Sequence, residues 1–376
     1  MNFGFTEEQE LLRDQIRKFL DTKCPLTEVR KISKTKQGHS DELWGEMAEL
    51  GWLGLLIPEE YGGVGLGWID LIVLMEETGR FLYPSPLISH SLCAMALIEN
   101  GNDIQKQKWL PQLASGKIIG AIALQEEDER YDSLGIQLAA EINGASVSLS
   151  GSKHYVSDVA EANLVVCACR TGTAEGDVSL VLVETAADGV TNKAATTMDA
   201  TKREGVLTLD NVTVATDAVL GAVNKAWPAI ERLNDCGAVA VTAEAVGAAE
   251  QALQITTNYA KERIQFDNQI GKYQSVKHPL AKMYVDIESF KSLSYFAAWN
   301  INESPEDLPR SVSLAKGYAA DVLPQLGIDC LGLHGAIGYT AEYDIQLYLK
   351  RTKWIRPKFG DADYHFDRVI NLGGVE

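Results

Sequence analysis

The strongest constraint on this chain is a change of texture that happens twice. Up to Gly116 the pattern is helical. From Lys117 it breaks into short β-type runs: Ile118–Leu124, Ile136–Ile142, Val147–Leu149, Leu164–Ala168, Val178–Val183, Val206–Leu209 and Val212–Val214. Turn residues separate them at Asn143-Gly144, Asp188-Gly189 and Asp210-Asn211. After Leu220-Gly221 long helical runs return with few breaks. Strands gathered in one stretch between two helical stretches predict an α+β fold, not a doubly wound parallel sheet. We expect an N-terminal helical domain over 1–116, a central β-barrel over 117–222 and a C-terminal helical bundle over 223–376. In the last of these, Val239, Val246, Ala249 and Leu253 form an apolar face that needs a cover. A four-helix bundle that drives oligomerisation is expected there.

Local signals fill in the first zone. Thr6-Glu7-Glu8-Gln9 is a capping box, with Thr6 at the N-cap and Gln9 three residues on. Leu11, Leu12, Ile16, Phe19 and Leu20 follow at helical spacing, and Cys24-Pro25 ends that helix. Asp41 starts another, carrying Leu43, Trp44, Met47 and Leu50, with Gly51 as its stop. The stretch from Gly51 to Gly63 is forced into turns by its glycines and Pro58. Gly62-Gly63-Val64-Gly65-Leu66-Gly67 is no dinucleotide loop, because its glycine spacing is wrong and no βαβ pattern surrounds it.

Acidic residues exceed basic ones by 52 − 34 = 18 over 376 residues. Such a charge argues against nonspecific nucleic-acid binding. No apolar run is long enough to span a bilayer. Met1–Phe5 runs directly into a charged helix, so no signal peptide is expected. The six cysteines are scattered. Cys167-x-Cys169 reads as two same-face strand positions packed in a core, not a metal pair. A reducing cytoplasm and no metal fit this usage.

A long apolar helical run starting near Ala229 closes in Tyr259-Ala260-Lys261-Glu262-Arg263-Ile264-Gln265-Phe266. Arg263 offers a fixed fork of donors that matches a phosphate. Gln265 offers an amide for a base or ribose, and Phe266 a flat apolar face. Together they suit a nucleotide with a pyrophosphate. Taken alone, so short a stretch also fits a charged helix end with a core Phe. The pattern Y-A-x-x-R-x-Q-F, then a turn through Ile270 to Tyr273-Gln274, resembles the signature of the acyl-CoA dehydrogenase family. Gly51-Trp52-Leu53-Gly54-Leu55-Leu56-Ile57-Pro58-Glu59-Glu60-Tyr61-Gly62-Gly63 is similar to a second segment of that family. There it leads to a helix ending E-E-x-G-R, here Glu76-Glu77-Thr78-Gly79-Arg80. The resemblance covers nearly the whole chain. It implies an FAD-dependent oxidoreductase that desaturates an acyl-CoA and passes electrons to electron-transfer flavoprotein or an equivalent acceptor. It also implies that Arg263, Gln265, Phe266 and Ile270 reach across an interface to the FAD of a neighbouring subunit.

Other family motifs are present in altered form. The first barrel strand in the family ends in a small-residue loop, T-E-P-x-A-G-S-D, that approaches the flavin pyrophosphate. Here the matching run is Leu124-Gln125-Glu126-Glu127-Asp128-Glu129-Arg130-Tyr131-Asp132. Such an acid run is ordinarily a solvated loop, and acids beside two phosphates would be repelled. This speaks against an intact FAD or CoA site in this subunit. The family's W-I-T-N, which covers the flavin, corresponds to Tyr155-Val156-Ser157-Asp158; Tyr155 keeps an aromatic plate and Ser157 a hydroxyl. An ordinary strand with a surface hydroxyl is the alternative there. Leu333-His334-Gly335-Ala336-Ile337-Gly338-Tyr339-Thr340 resembles the family's Q-x-x-G-G-x-G-Y/F-T loop, which implies flavin contacts at Gly335 and Ala336. Gly332 replaces the usual Gln, and Ala336 the second Gly. The tail Glu342-Tyr343-Asp344 to Arg351 is similar to a subgroup that includes paired, unlike subunits acting on steroid side-chain CoA esters.

The family's chemistry needs a carboxylate against the α-proton of the thioester. At the usual position after the glycine loop stands Phe359, with Asp361 or Asp363 available by a slip of register. At the alternative position on the first helix of the third domain stands Gly237. Glu231, Asp235 and Glu244 are near it in sequence, but Asp235 points elsewhere on a helix and Glu244 reads as structural. No catalytic residue is therefore expected in this chain, with Asp361 as the fallback. The expected molecule is a base-less subunit of a heteromeric, α2β2 acyl-CoA dehydrogenase of lipid or steroid degradation. A self-sufficient enzyme with a displaced base, or a flavin-free acyl-CoA-binding scaffold, are the rival expectations.

Overall fold

The computed structural model of the protein describes residues 5–373. Helices occupy the chain up to Ala114, strands run from Gly120 to Leu220, and helices return from Trp227. Among the described residues no helix is long and apolar enough to cross a membrane. By packing, the chain forms two compact units. One takes the chain up to Lys31, Trp68–Tyr83 and everything from Asp235; the other takes Ile32–Gly67 and Pro84–Asn234.

The first unit is helical. Thr6 opens the helix Glu7–Lys23 with the expected capping box: its Oγ accepts the Gln9 N–H at 3.3 Å, and Gln9 Oε1 accepts the Thr6 N–H at 3.1 Å. Cys24 closes that helix. A short helix Leu26–Ile32 follows that sequence patterning missed, because seven residues are too few to display a period. The helix Trp68–Arg80 crosses the long helix Trp227–Glu262 backbone to backbone. A Cβ on Gly79 would lie 2.0 Å from the Glu244 carbonyl oxygen, and one on Gly247 would lie 1.8 Å from that of Glu76. Only glycine permits so close an approach at both positions. The acids of the E-E-x-G-R motif are buried there and neutralised. Arg17 binds Glu77 through two hydrogen bonds of 3.0 and 2.6 Å, while Arg13 and the Tyr295 hydroxyl serve Glu76 at 3.5 and 2.5 Å. After the long helix come Gln274–Glu303 and Leu308–Leu333, then the shorter Ile345–Ile355 and Ala362–Asn371. Among the described residues the region from Trp227 thus carries five helices, three long and two short. Val239, Val246 and Ala249 are already covered within the chain itself, so they do not form the open face expected of them.

The second unit contains the sheet. Its strands are β1 (Gly120–Ala123), β2 (Ala139–Asn143), β3 (Ser146–Ser157), β4 (Leu164–Arg170), β5 (Val178–Glu184), β6 (Val190–Ala195), β7 (Glu204–Ala215) and β8 (Val219–Leu220). The order is β6-β7-β3-β2-β4-β5-β8, with β1 added parallel to β4. Val147, Leu149, Val165, Val181, Leu207 and Leu209 form its core, together with Cys167 and Cys169 on one face of β4. Asp210-Asn211 is not a turn between two strands. β7 runs through it, with a register shift opposite Leu149 and Gly151. Asn211 takes a left-handed φ of 53°, the conformation that also suits it to turns. Strand β6 was missed because most of its residues are polar or solvent-facing and show no alternation.

Candidate functional site

Six of the eight expected cofactor residues lie in the helical unit, and Tyr155 and Ser157 lie in the sheet unit. The long helix ends at Glu262, and the Arg263 N–H makes a last bond to the Tyr259 carbonyl at 2.8 Å. A two-stranded hairpin follows, pairing Gln265 with Asn268 and Ile264 with Gln269. Its two turn residues, Phe266 and Asp267, have φ of 50° and 62°. Two left-handed residues match the twist of a tight hairpin, but a bulky aromatic pays steric strain to stand there. The turn is held by Asn268 Nδ2, which donates to the Phe266 carbonyl at 3.0 Å, and by the Tyr273 hydroxyl, which donates to the Gln265 and Phe266 carbonyls at 3.1 and 3.3 Å. The result is an anchored tip whose aromatic side chain is 85% exposed. The Arg263 and Gln265 side chains are exposed too, and neither has a side-chain hydrogen bond or ion pair among the described residues. Ile270 is half-buried, and its N–H closes the hairpin onto the Arg263 carbonyl at 2.8 Å.

The glycine loop is attached to this hairpin by aromatic side chains. The helix Leu308–Leu333 is capped by His334, and a 3₁₀ turn spans Gly335–Tyr339. Gly335 takes φ 63°, and Gly335 and Ala336 are exposed. The Tyr259 ring lies 4.5 Å from the buried His334 ring, and its hydroxyl donates to the His334 carbonyl at 3.3 Å. The Tyr343 ring closes the other contact at 5.0 Å. Arg30 secures the segment that follows, donating to the Ala341 and Glu342 carbonyls at 2.7 and 3.2 Å and pairing with Asp344 at 2.8 Å. Tyr259, His334, Tyr343 and Asp344 stand in motifs legible in the sequence, but neither their mutual contacts nor Arg30 could be read there. Those contacts carry no signal until the helices bring the residues together.

In the sheet unit the acid run is not simply solvated. The Glu126 carboxylate pairs at 2.7 Å with the fully buried amine of Lys153 and accepts the Gln137 and Leu138 N–H groups at 2.8 Å each. It therefore anchors the start of β2. Asp132 caps the 3₁₀ turn Ser133–Gly135 and is gripped by Arg130, which holds its carboxyl below the ordinary range. Tyr155 sits at an irregularity in β3 with φ 54° and is 41% exposed. Its phenol pKa is raised, first because Glu129 accepts its hydrogen bond and then through burial and the charges of Glu129 and Glu127. Ser157 Oγ donates to Glu204 Oε1 at 3.0 Å. The hydroxyls of Tyr155 and Ser157, expected to cover the flavin, are thus both bound to acids of the same chain.

Gly237 and Phe359, the two residues expected at the base positions, lie in the helical unit and touch. The Phe359 ring packs on Gly237: a Cβ there would be 2.5 Å from Cε1 of the ring. Phe359 and Gly360 take φ of 57° and 99°. His365 Nε2 donates to the Phe359 carbonyl at 2.9 Å, and the buried Lys316 amine donates to the Arg356 and Gly360 carbonyls at 2.9 and 2.7 Å. Burial pulls the Lys316 amine down to about 7. The alternative carboxylates are occupied. Asp361 caps the helix Ala362–Asn371 by accepting the Tyr364 N–H at 3.0 Å. Asp235 receives two hydrogen bonds from Arg368. Glu244 pairs with the fully buried Arg351 at 2.9 Å, as a structural role requires. Asp363 is exposed in the first turn of that last helix.

The family descriptions "Acyl-CoA dehydrogenase, N-terminal domain" and "Acyl-CoA dehydrogenase, C-terminal domain" match residues 6–117 and 225–371. The short-chain specific acyl-CoA dehydrogenase of Clostridium acetobutylicum is 30% identical over 366 residues, covering 94% of each chain. Among solved structures, a chain of the ChsE4–ChsE5 complex from Mycobacterium tuberculosis superposes with a TM-score of 0.91 at 25% identity over 100% of both chains. A chain of the Tcur3481–Tcur3483 steroid ACAD does so with a TM-score of 0.88 at 29% identity over 98% of both. The chain belongs to the acyl-CoA dehydrogenase family, FAD-dependent oxidoreductases that act on CH–CH donors.

Proposed function

We propose that this chain is the base-less subunit of a heteromeric acyl-CoA dehydrogenase, and that it completes the FAD site of an unlike partner. One observation carries this reading. The Arg263–Phe266 corner is built and exposed, with no partner for the Arg263 and Gln265 side chains among the described residues, whereas the positions for a base hold Gly237 and Phe359 packed on each other. The fit of FAD differs between the two surfaces. Arg263, Gln265, Phe266, Ile270, Gly335 and Ala336 present a fork, an amide, an aromatic face and open backbone, which suit the pyrophosphate end of a partner's FAD. Tyr155 and Ser157 are tied to Glu129 and Glu204, and Glu127 stands near Tyr155, which suits no diphosphate.

The chemistry a bound FAD would supply is hydride acceptance from the β-carbon of the acyl thioester. The residues of this chain contribute binding and charge. Arg263 neutralises phosphate, Phe266 shields the nucleotide from water, and the loop at Gly335 offers backbone N–H groups. The proton-abstracting carboxylate comes from the partner. On this reading 223–376 carries both oligomerisation and the trans contacts, and the assembly is α2β2. The likeness to the ChsE4–ChsE5 complex and to a steroid ACAD supports unlike subunits and a steroid side-chain CoA ester as substrate. Electron-transfer flavoprotein or an equivalent carrier would reoxidise the flavin. Six buried free thiols fit a reducing cytoplasm.

The test is purification with and without the partner from the native source, recording flavin absorbance near ~450 nm and turnover of saturated acyl-CoA. Colour and turnover in the complex, with negligible turnover by the lone chain, are expected. Steady turnover by the lone chain at about 1 per second or more would show that a displaced acid such as Asp361 serves as base. A protein colourless with every partner would leave only a flavin-free scaffold.

A further inference from the structure

His334 is 3% exposed, and one of its ring nitrogens has no partner. Nδ1 lies 2.7 Å from the Cys330 carbonyl oxygen, so it carries the proton and donates. In a neutral imidazole Nε2 is then a bare acceptor. Nε2 is buried and meets no donor among the described residues. A buried, unsatisfied polar atom is uncommon and calls for an explanation. The ring is flanked by Tyr259 at 4.5 Å and Tyr343 at 5.0 Å. Tyr259 is also the residue whose carbonyl receives the Arg263 N–H, and its hydroxyl reaches back to the His334 carbonyl. Gly335 and Ala336 follow His334 directly. One imidazole therefore joins the turn that carries Arg263 to the loop that carries Gly335.

We propose that His334 is a positioning residue for the trans-flavin surface: its neutral, Nδ1-protonated ring, wedged between Tyr259 and Tyr343, keeps Arg263 in register with Gly335 and Ala336. This rests on the reading that those residues hold a partner's FAD. Protonation would create an N–H at Nε2 with no acceptor in a dry site, and the wedge would have to open. The groups around the ring offer no compensation. Tyr259 faces it from the long helix, Tyr343 from the segment before Ile345–Ile355, and Cys330 from its own helix; Glu262 and Asp344 lie around Tyr343. Burial accordingly holds the His334 pKa below the ordinary value, against the smaller pull of the Cys330 carbonyl. The neutral form is favoured by the fold, so the register is kept at neutral pH and lost on acidification below the ordinary histidine range, about 6.5.

The experiment follows retained flavin per protein in the complex with the partner subunit, from about pH 8 down to about pH 5, for the natural chain, His334→Phe and His334→Ala. The natural complex should lose flavin as the pH falls. His334→Phe keeps an aromatic wedge without a proton and should give a flat profile. His334→Ala should lose flavin several-fold at every pH. Histidine-selective ¹⁵N spectra of the isolated chain supply a readout that needs no flavin. The signal absent from His334→Phe, one of six, should report a protonated Nδ1 and a bare Nε2 at neutral pH. A protonated Nε2 at neutral pH, a pH profile unchanged in His334→Phe, or full flavin retention by His334→Ala would each overturn the proposal. If Arg263→Ala leaves flavin bound, the trans-flavin reading itself is what fails. The nitrogen spectra still decide the geometry of the wedge in that case.

Discussion

The ring of Phe359 occupies the space that any side chain on Gly237 would need, with Cε1 2.5 Å from the position of a Cβ there. On the proposed reading, the two positions expected to carry the base are thus filled by one packing contact. Phe359 cannot drift away easily. Its backbone is left-handed, His365 holds its carbonyl, and Lys316 holds that of Gly360. Absence of a carboxylate at both sites is therefore part of how this region packs.

Gly237→Ala should lower stability by about 1–3 kcal/mol through overpacking. Phe359→Ala in the same chain should relieve that clash, so the double variant should be less damaged than the sum of the singles by about 0.5–3 kcal/mol. Urea midpoints of the four proteins measure the coupling. Strict additivity would mean that the two residues do not touch in solution.

Arg351 and Glu244 are 0% and 1% exposed in their side chains and 2.9 Å apart. Removing one partner strands a buried charge. Arg351→Met should cost about 3–5 kcal/mol, and the Arg351→Met, Glu244→Leu pair should recover most of it. The check is again a denaturation midpoint. An Arg351→Met chain as stable as the natural one would rule out the pair as a structural clamp.

Burial lowers His90 to about 4 and His365 to about 3, the latter helped by the charge of Lys316. Both stay neutral in the fold while the unfolded chain takes up protons below about 6.5. Stability is therefore full above that pH and falls as the pH drops toward the folded values. Across its full window His90 should withdraw about 3 kcal/mol and His365 about 5 kcal/mol. Urea midpoints from about pH 7.5 to about pH 4.5 should show the fall. His90→Gln should flatten its slope, and an unchanged slope would contradict the assignment.

Much of the fold was legible because its signals are local. Thr6 and Gln9 satisfy each other within one turn, and the apolar runs of β4 and β5 are bounded by turn residues. What was missed depends on tertiary partners. β6 has a polar sequence and exists because β7 pairs with it. Asn211 has turn chemistry but stands in a strand. At the candidate site, Arg263 and Phe266 could be picked out as types. Asp361 capping the last helix through the Tyr364 N–H is a local signal that was passed over, whereas the pairing of Asp235 with Arg368 is set by how the last helix docks. Glu126 looked solvated until Lys153, from β3, reached it.

On the proposed reading the Arg263 corner of this chain serves a flavin belonging to another subunit. The most direct measurement is the flavin-to-protein ratio of the co-purified complex after extensive dialysis, for the natural chain, Arg263→Lys and Arg263→Ala. Losing one partner of a bidentate guanidinium–phosphate contact typically costs about 2–5 kcal/mol, whereas lysine keeps the charge and loses only the fork. Arg263→Ala should strip flavin from a complex that stays assembled and folded, and Arg263→Lys should strip less. An Arg263→Ala complex with its full complement of flavin would contradict that reading.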